Sequence, residues 1–363
     1  MILNYSLLRN TPSIYTEWMS LQRLLGTELP IIQAPMAGAQ GAALAVAACK
    51  AGALGSLPCA MLSVDAMRKE LASIRAGTDR PYNVNFFTHT PPAADERREA
   101  AWRAALTPYY KEYGIDPNAI PAGPGRAPFT AEAAAALEDF RPAVVSFHFG
   151  LPSKALLDRV RAWGSKILSS ATTVDEALWL EAQGVDAVIA QGVEAGGHRG
   201  IFLSEDLSTQ PGTFALLPQV VRAVKVPVIA AGGIADAKGV AAAMVLGAAG
   251  VQVGTAYLLC PEATISAVHR AALKSEAARH TALTNLFTGR PARGIVNRLM
   301  KELGPISDAA PEFPLATSAI APLRARAESE GSGDFSPLWS GQNAAGCKDV
   351  PAAQLTRELA AGL

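Results

Sequence analysis

Short apolar runs alternate along the chain with longer Ala- and Leu-rich stretches, and each run ends in small or polar residues such as Gly, Ser or Asn. This alternation indicates β-strands that are followed by α-helices. The predicted strands are Pro30 to Met36, Ala53 to Leu57, Tyr82 to Phe87, Val144 to Phe149, Lys166 to Ser170, Ala187 to Gln191, Val226 to Ala231 and Gly250 to Thr255. This succession predicts an α/β fold of the (β/α)₈ TIM-barrel type, since a doubly wound sheet usually stops at about six strands.

Two segments interrupt the alternation. Residues 88–130 are rich in Pro and charged residues, and they predict a helical insertion after the third strand that hangs over the mouth of the barrel. After about Pro261 the alternation stops, which predicts a helical C-terminal extension over residues 261–363. We expect this extension to pack on the barrel of residues 21–260, to return to it at Leu338 to Gln342 and to contribute to the pocket. Residues 1–20 fit no barrel unit and form a predicted N-terminal extension.

Composition and charge exclude several classes of partner. The chain is 50% hydrophobic and 18% charged, which is typical of a large α/β core, and its formal net charge of +0 comes without a basic cluster for nucleic acid. No apolar run approaches the ~20 residues of a membrane span, and the first residues lack the features of a secretory signal. The cysteines are scattered without a CxxC pair, so we expect a cytoplasmic protein without zinc or disulfides. Barrels of this kind are compatible with a monomer or a homodimer.

The last two predicted strands end in glycine-rich turns. Gly232 and Gly233 join one strand directly to a helix, while Gly254 and Thr255 follow the next strand. Glycine lets backbone N–H groups approach an anion closely, and the loops after strands seven and eight form the usual phosphate site of phosphate-binding barrels. A ligand that carries a phosphate is therefore predicted, with tight turns alone as the alternative interpretation.

The run QGVEAGGHRG, from Gln191 to Gly200, places a histidine in a glycine-rich loop at a strand end. Gly196 and Gly197 give the backbone the freedom to set His198 above a flat cofactor. A neutral imidazole can remove a carbon-bound proton, and its cation can hold an anionic substrate. His198 is therefore the candidate catalytic residue, with a structural histidine as the alternative.

The other histidines are weaker functional candidates. His148 ends the fourth strand and is expected to line the substrate pocket, unless it is an ordinary hydrogen-bonded barrel histidine. His89 ranks below it, and His269 and His280 fall in the C-terminal extension. No two histidines and a carboxylate share the spacing of metal ligands, so no bound metal is expected.

The motifs PIIQAPMAG, YNVNFF, EAGGHRG, PVIAAGGIAD, GVQVGTAYL and FTGRPARG, in this order, resemble the nitronate monooxygenases, formerly called 2-nitropropane dioxygenases. The resemblance covers nearly the whole barrel and reaches the C-terminal extension. The APM and AGG strand ends also occur in other flavin barrels, so the specificity lies in their order with EAGGHRG between them. The EAGGHRG form of the histidine motif and the segment Ser340 to Gln342 in the C-terminal extension are similar to those of the bacterial class I branch.

The resemblance implies noncovalently bound FMN, with its phosphate on Gly232, Gly233, Gly254 and Thr255. It also implies that His198 is the catalytic histidine. The other implied cofactor-binding residues are Ala34, Pro35, Met36, Asn85, Gln191, Gly196 and Gly197. Of these, Met36, Asn85 and Gln191 are expected to lie against the isoalloxazine ring or its polar edge.

The same resemblance implies a small anionic nitronate or a nitroalkane as substrate, with O₂ as the second reactant. The products are then a carbonyl compound and nitrite or nitrate, and propionate 3-nitronate is the expected physiological substrate. In this interpretation His198 holds the anion and deprotonates a neutral nitroalkane.

A tyrosine of the insertion is expected to close the substrate pocket, again by resemblance to the class I enzymes. Tyr109, Tyr110 and Tyr113 are the candidates, and Tyr109 is favoured, although it shares a helix face with Tyr113 and ordinary packing explains both. The class I enzymes are expected to add tyrosines from the C-terminal extension, but the last tyrosine here is Tyr257. Trp339 and Lys348 are expected to take their place.

Two other functions remain open from the sequence. An NAD(P)H-dependent FMN barrel that reduces an enoyl thioester or a quinone shares the phosphate site and the fold. A barrel that only stores or senses FMN is the second alternative. Rapid reduction of the flavin by NADH favours the first alternative, and indifference to nitronates favours the second.

Overall fold

A computed structural model of the protein describes residues 20–120 and 126–363. Residues 1–19, most of the expected N-terminal extension, lie outside the described residues. The strands in chain order are β1 Ile31–Gln33, β2 Gly55–Pro58, β3 Tyr82–Phe87, β4 Val144–His148, β5 Lys166–Ala171, β6 Ala187–Gln191, β7 Gly197–His198, β8 Val228–Ala231, β9 Gly250–Val253, β10 Thr281–Thr284 and β11 Ala292–Ile295.

The helices frame these strands. They are α1 Leu21–Leu25, α2 Ala42–Lys50, α3 Val64–Gly77, α4 Glu96–Glu112, α5 Ala131–Glu138, α6 Lys154–Ala162, α7 Val174–Ala182, α8 Thr213–Ala223, α9 Ala237–Val245, α10 Ala267–Leu273, α11 Arg298–Leu303, α12 Ala316–Ser329 and α13 Ala352–Ala360. Short 3₁₀ turns lie at Pro117–Ala119, Leu207–Thr209, Thr255–Leu259, Glu276–Arg279 and Ala344–Gly346.

Eight parallel strands form the predicted barrel, in the order β1-β9-β8-β6-β5-β4-β3-β2. The ring closes between β1 and β2 at Leu54, whose N–H donates to Ile31 O at 2.9 Å and whose carbonyl accepts from Gln33 N–H at 2.9 Å. The strands are almost wholly buried, as expected for a parallel sheet that is covered by helices. The (β/α)₈ prediction is confirmed.

The amino-terminal end of the barrel is closed by α1. Leu21 and Leu25 are buried against Val144 and Ala187, the first residues of β4 and β6. Gly250 is required there, because a Cβ atom on it would lie 2.3 Å from Leu21 Cδ2. The closed amino-terminal end leaves the carboxyl ends of the strands as the open face.

The insertion and the C-terminal extension share a second hydrophobic core outside the barrel. Helix α4 packs against α12, and the Trp102 and Tyr110 side chains donate hydrogen bonds to Ala316 O and Ala319 O at 3.2 and 2.6 Å. The extension contains helices α10 to α13, as expected, and two strands that the sequence did not suggest. Strands β10 and β11 form an antiparallel sheet with β7. The extension thus reaches the loop of the candidate catalytic histidine.

Candidate active site

A deep cavity opens at the carboxyl ends of the barrel strands. Its empty space, including the opening to solvent, is about 1710 Å³. The structure brings together in its wall all of the residues predicted to bind the cofactor: Ala34, Pro35, Met36, Asn85, Gln191, Gly196, Gly197, Gly232, Gly233, Gly254 and Thr255. His198, His148 and Trp339 lie in the same wall.

The turns after β8 and β9 form a cradle for an anion at one side of this cavity. Gly232 and Gly233 have φ values of +113° and +73°, which only glycine adopts easily, and α9 begins just beyond them. In the neighbouring turn, Thr255 Oγ1 accepts a hydrogen bond from Gly341 N–H at 2.9 Å. Its own proton therefore stays available for donation to an anion.

The wall also contains a buried polar atom that needs a ligand. Gln252 Oε1, on β9, is buried without a hydrogen-bond partner in the described part of the chain. A buried acceptor without a donor is costly, so this oxygen fits a ligand that presents an N–H group. Gln191 was predicted to face the polar edge of the isoalloxazine ring, but its side-chain amide forms hydrogen bonds within the protein. It accepts from Gly200 N–H at 2.8 Å and donates to His198 O at 3.0 Å.

His198 is fixed by long-range pairing and does not sit on a flexible loop. It belongs to β7, in which Gly197 and His198 pair with Arg293 and Ala292 of β11. Its ring lies 5.3 Å from Phe313 and 5.6 Å from Trp339, centroid to centroid. The histidine is therefore held in an aromatic enclosure at the mouth of the barrel.

The hydrogen bonds of His198 assign its proton. Nε2 lies 2.9 Å from Thr288 Oγ1, and the Thr288 hydroxyl donates its only proton to Arg290 O at 3.3 Å. The tautomer that satisfies both contacts donates from Nε2–H to Thr288 Oγ1. Nδ1 makes no hydrogen bond with any residue that the structure describes, so its lone pair is free to accept a proton.

The charge of His198 differs from one sequence-based expectation. Burial lowers its pKa well below the usual value, and the nearby Arg126 lowers it further, followed by His148 and Arg290. The imidazole is therefore neutral near pH 7, which suits a base. An imidazolium that grips an anion is not supported, because surrounding cations already occupy this part of the wall.

His148 lines the cavity, but its ring forms a hydrogen bond with the backbone of His198. Nε2 lies 3.1 Å from His198 O, and Nδ1 lies 3.0 Å from Ser170 Oγ. Since a carbonyl oxygen only accepts, the proton is on Nε2 and Ser170 donates to Nδ1. Burial lowers the pKa of His148 to about 4, so this neutral tautomer persists. His148 is a positioning residue.

Two predicted pocket residues lie elsewhere. Tyr109 is buried in the core of the insertion and the extension, with its ring 5.2 Å from Phe335, because that packing face is apolar. Tyr110 and Tyr113 lie in the same core. Lys348 Nζ forms an ion pair with Glu358 at 2.5 Å. The cavity wall contains neither Lys348 nor a tyrosine among the described residues.

The Glu194 to Gly200 segment is held by buried polar contacts. Arg199 is fully buried and donates to Gln191 O and Gly192 O, both at 2.7 Å, and to Gln210 Oε1 at 3.1 Å. From the extension, Gln342 N–H donates to Glu194 O at 3.0 Å. This approach requires Gly196, since a Cβ atom on it would lie 2.5 Å from Gly341 N.

Sequence reasoning missed Arg126, Thr288, Phe313 and Gln252. The FTGRPARG motif, used only for the resemblance, contains Thr288 and Arg290 and was the available signal for the partner of His198. Arg126 lies in a Pro- and Gly-rich stretch without acidic neighbours. The absence of a nearby carboxylate in the sequence is only a weak indication that this arginine binds an anionic ligand. Nothing local in the sequence marks Phe313 or Gln252.

The described ranges contain no metal-binding cluster of three His, Cys, Asp or Glu residues. Among their helices, none combines the length and the apolar character that crossing a membrane requires. All of the cysteines are unpaired thiols.

The chain is similar to proteins of one family over nearly its full length. The nitronate monooxygenase family model matches residues 19–362. The nitronate monooxygenase of Paraburkholderia phytofirmans is 43% identical, over 94% of this chain and 93% of its own length. That of Pseudomonas aeruginosa is 42% identical, over 93% of this chain and 97% of its own. A crystal structure of nitroalkane oxidase from Streptomyces ansochromogenes superposes with a TM-score of 0.86 at 39% identity, covering 95% of this chain and 98% of the other.

Proposed function

The chain belongs to the nitronate monooxygenase family, a class of flavin-dependent oxidoreductases, and on that premise we propose that it binds FMN and oxidises alkyl nitronates with O₂. The products are a carbonyl compound and nitrite or nitrate, and propionate 3-nitronate is the expected physiological substrate. One observation supports the proposal most directly. The anion cradle, the Gln252 oxygen without a hydrogen-bond partner among the described residues and the free Nδ1 of His198 all face the same cavity.

FMN fits the residues of the cavity. The turns with Gly232, Gly233, Gly254 and Thr255 offer donors to one phosphate, and Gln252 Oε1 offers an acceptor for a ring N–H group. The sequence contains no second nucleotide-binding motif that would indicate FAD. When bound, FMN supplies an acceptor for the electrons of the nitronate and passes them to O₂.

The chain's own residues bind and orient the substrate. Phe87, Phe313 and Trp339 surround the His198 ring and exclude water from it. For a neutral nitroalkane, Nδ1 of His198 takes the proton from the carbon beside the nitro group, while Thr288 holds the opposite ring nitrogen. A preformed nitronate needs no such proton transfer.

A side chain at Gly254 tests the position of the cofactor. Its φ of −114° suits any residue, and a Cβ atom would lie 3.4 Å from Ala34 Cβ and 3.6 Å from Met36 Sδ, so Gly254→Val projects into the cavity without backbone strain. We expect FMN occupancy of the purified protein to fall about tenfold or more, because a good steric fit of the phosphate is lost. Flavin released by denaturation is quantified and identified by chromatography.

Gly239→Ala is the matched control, because Gly239 lies in α9 outside the cavity wall and a Cβ atom there makes only ordinary contacts. Unchanged FMN occupancy in Gly254→Val shows that the phosphate lies elsewhere. Release of FAD from the wild-type protein contradicts the proposed cofactor.

The proposed reaction is tested by steady-state turnover. Preformed propionate 3-nitronate should support saturable O₂ consumption with release of nitrite or nitrate, and NAD(P)H should be unnecessary. If the protein instead consumes NAD(P)H to reduce an enoyl thioester or a quinone and leaves nitronates untouched, the alternative reductase function is correct.

A further inference from the structure

Arg126 is a cation of the cavity wall that has no carboxylate partner among the described residues. Its guanidinium donates to Thr317 Oγ1 at 3.0 Å and lies 5.8 Å from the Phe313 ring centroid. Burial lowers its pKa to about 10, so it remains charged near neutral pH. A buried charge without a counter-ion is costly, which points to an anionic ligand.

The neighbouring charges do not neutralise Arg126. Arg324 and Glu328 also line the cavity, but they pair with each other at 2.8 Å, and Ser336 donates a further hydrogen bond to Glu328 at 2.6 Å. Arg324 acts on Arg126 as a like charge. Among the described residues that line the cavity, Arg126 is therefore a cation without a paired carboxylate.

The position of Arg126 separates it from the phosphate cradle. The chain returns to the end of β3 just after Arg126, where Phe129 N–H donates to Phe87 O at 2.8 Å, and β3 lies across the barrel from β8, four strands away in either direction round the ring. The Phe313 ring is a common neighbour of the two residues, with its centroid 5.8 Å from the Arg126 guanidinium and 5.3 Å from the centroid of the His198 ring. An anion at Arg126 therefore belongs to the molecule that reacts beside His198.

We propose that Arg126 binds a carboxylate at the end of the substrate opposite its nitro group, and so selects nitronates that carry a carboxylate. This inference rests on the proposed function. Arginine suits the task because its planar fork donates two parallel hydrogen bonds to one carboxylate. The contact is the same before and during reaction, so it acts on substrate binding and leaves the chemical step unchanged.

The test compares two substrates in Arg126→Gln. With propionate 3-nitronate, kcat/KM should fall about 10- to 100-fold through a higher KM, the change expected when one charge-assisted contact is lost. With propyl-1-nitronate, which has a methyl group in place of the carboxylate, kcat/KM should change less than about threefold. Arg126→Lys should recover part of the loss, because it restores the charge without the fork.

Arg97→Gln, at an exposed arginine of α4, is the control and should behave as wild type with both substrates. Equal losses with both nitronates in Arg126→Gln overturn the inference. Loss of FMN from that variant overturns it as well, since it would assign Arg126 to the cofactor phosphate.

A binding measurement separates this inference from the proposed reaction. Anaerobic calorimetry on the flavin-loaded protein gives the Kd of 3-nitropropionate and of 1-nitropropane. Arg126→Gln should weaken only 3-nitropropionate, again about 10- to 100-fold. If wild type oxidises no nitronate, the proposed function fails while this selective weakening still supports a carboxylate site at Arg126. Equal Kd values for 3-nitropropionate in wild type and variant overturn it.

Discussion

Replacing His198 with Asn is expected to lower kcat/KM for a neutral nitroalkane by about 10² to 10⁴, the usual cost of losing a general base. The Asn side chain reaches only to the position of Nδ1, so it loses the hydrogen bond of Nε2 to Thr288, and neither atom of its amide can take a carbon-bound proton. With a preformed nitronate the loss should stay below about tenfold, because only a neutral contact disappears. Both rates are measured under air, at flavin contents determined in the same samples.

The pH dependence adds a second readout for His198. Burial holds its pKa well below the usual value of 6.5, so the base is deprotonated throughout the range above pH 6.5. Within this pH range, the wild-type kcat/KM for the neutral nitroalkane should therefore show no decrease that is caused by protonation of His198. His280→Asn, at an exposed histidine, is the control. Near-wild-type rates of His198→Asn with both substrate forms would make His198 a structural residue.

Arg199→Met is expected to lower the free energy of unfolding by about 3 kcal/mol or more. The fully buried guanidinium satisfies Gln191 O, Gly192 O and Gln210 Oε1, and each hydrogen bond from a charged donor contributes about 1.5 to 3 kcal/mol. Because these contacts hold both ends of the turn that carries His198, flavin occupancy should fall as well. Denaturant unfolding of the apoprotein and the flavin content of the holoprotein are the two measurements.

Arg326→Met provides the comparison for Arg199. Arg326 is exposed and pairs with Glu330 at 2.9 Å, a surface contact that contributes at most about 1 kcal/mol. Arg199→Lys should lie between wild type and Arg199→Met, since one ammonium cannot serve three separated acceptors in the same geometry. If Arg199→Met is as stable as Arg326→Met, the turn is held by other contacts.

The barrel was predictable because strand patterns are local. Strands β3 and β6 begin and end at the predicted residues. Strand β1 ends early at Gln33, because Pro35 has no N–H to continue the ladder, and β8 begins late at Val228, after Pro227. Hydrophobic runs show where a strand lies, whereas the backbone donors decide where its pairing stops.

The residues proposed to bind the cofactor could be predicted to lie together, because they come from the ends of those strands. The substrate side was not, since it depends on contacts between distant segments. Strand β7 exists only through its pairing with β11, and Tyr109 turns away from the cavity because Phe335 of the extension covers it. Arg126 lacks a carboxylate partner in the described part of the chain, where Glu328 pairs with Arg324, and no local sequence pattern predicts that these two residues share a cavity wall with Arg126.

The most direct test of the proposed chemistry is the visible flavin spectrum during anaerobic mixing. Propionate 3-nitronate should remove the absorbance of the oxidised flavin within the time of one turnover, and NADH at the same concentration should leave it nearly unchanged. An oxidised spectrum that persists with the nitronate and bleaches rapidly with NADH would contradict nitronate oxidation and favour an NAD(P)H-dependent reductase.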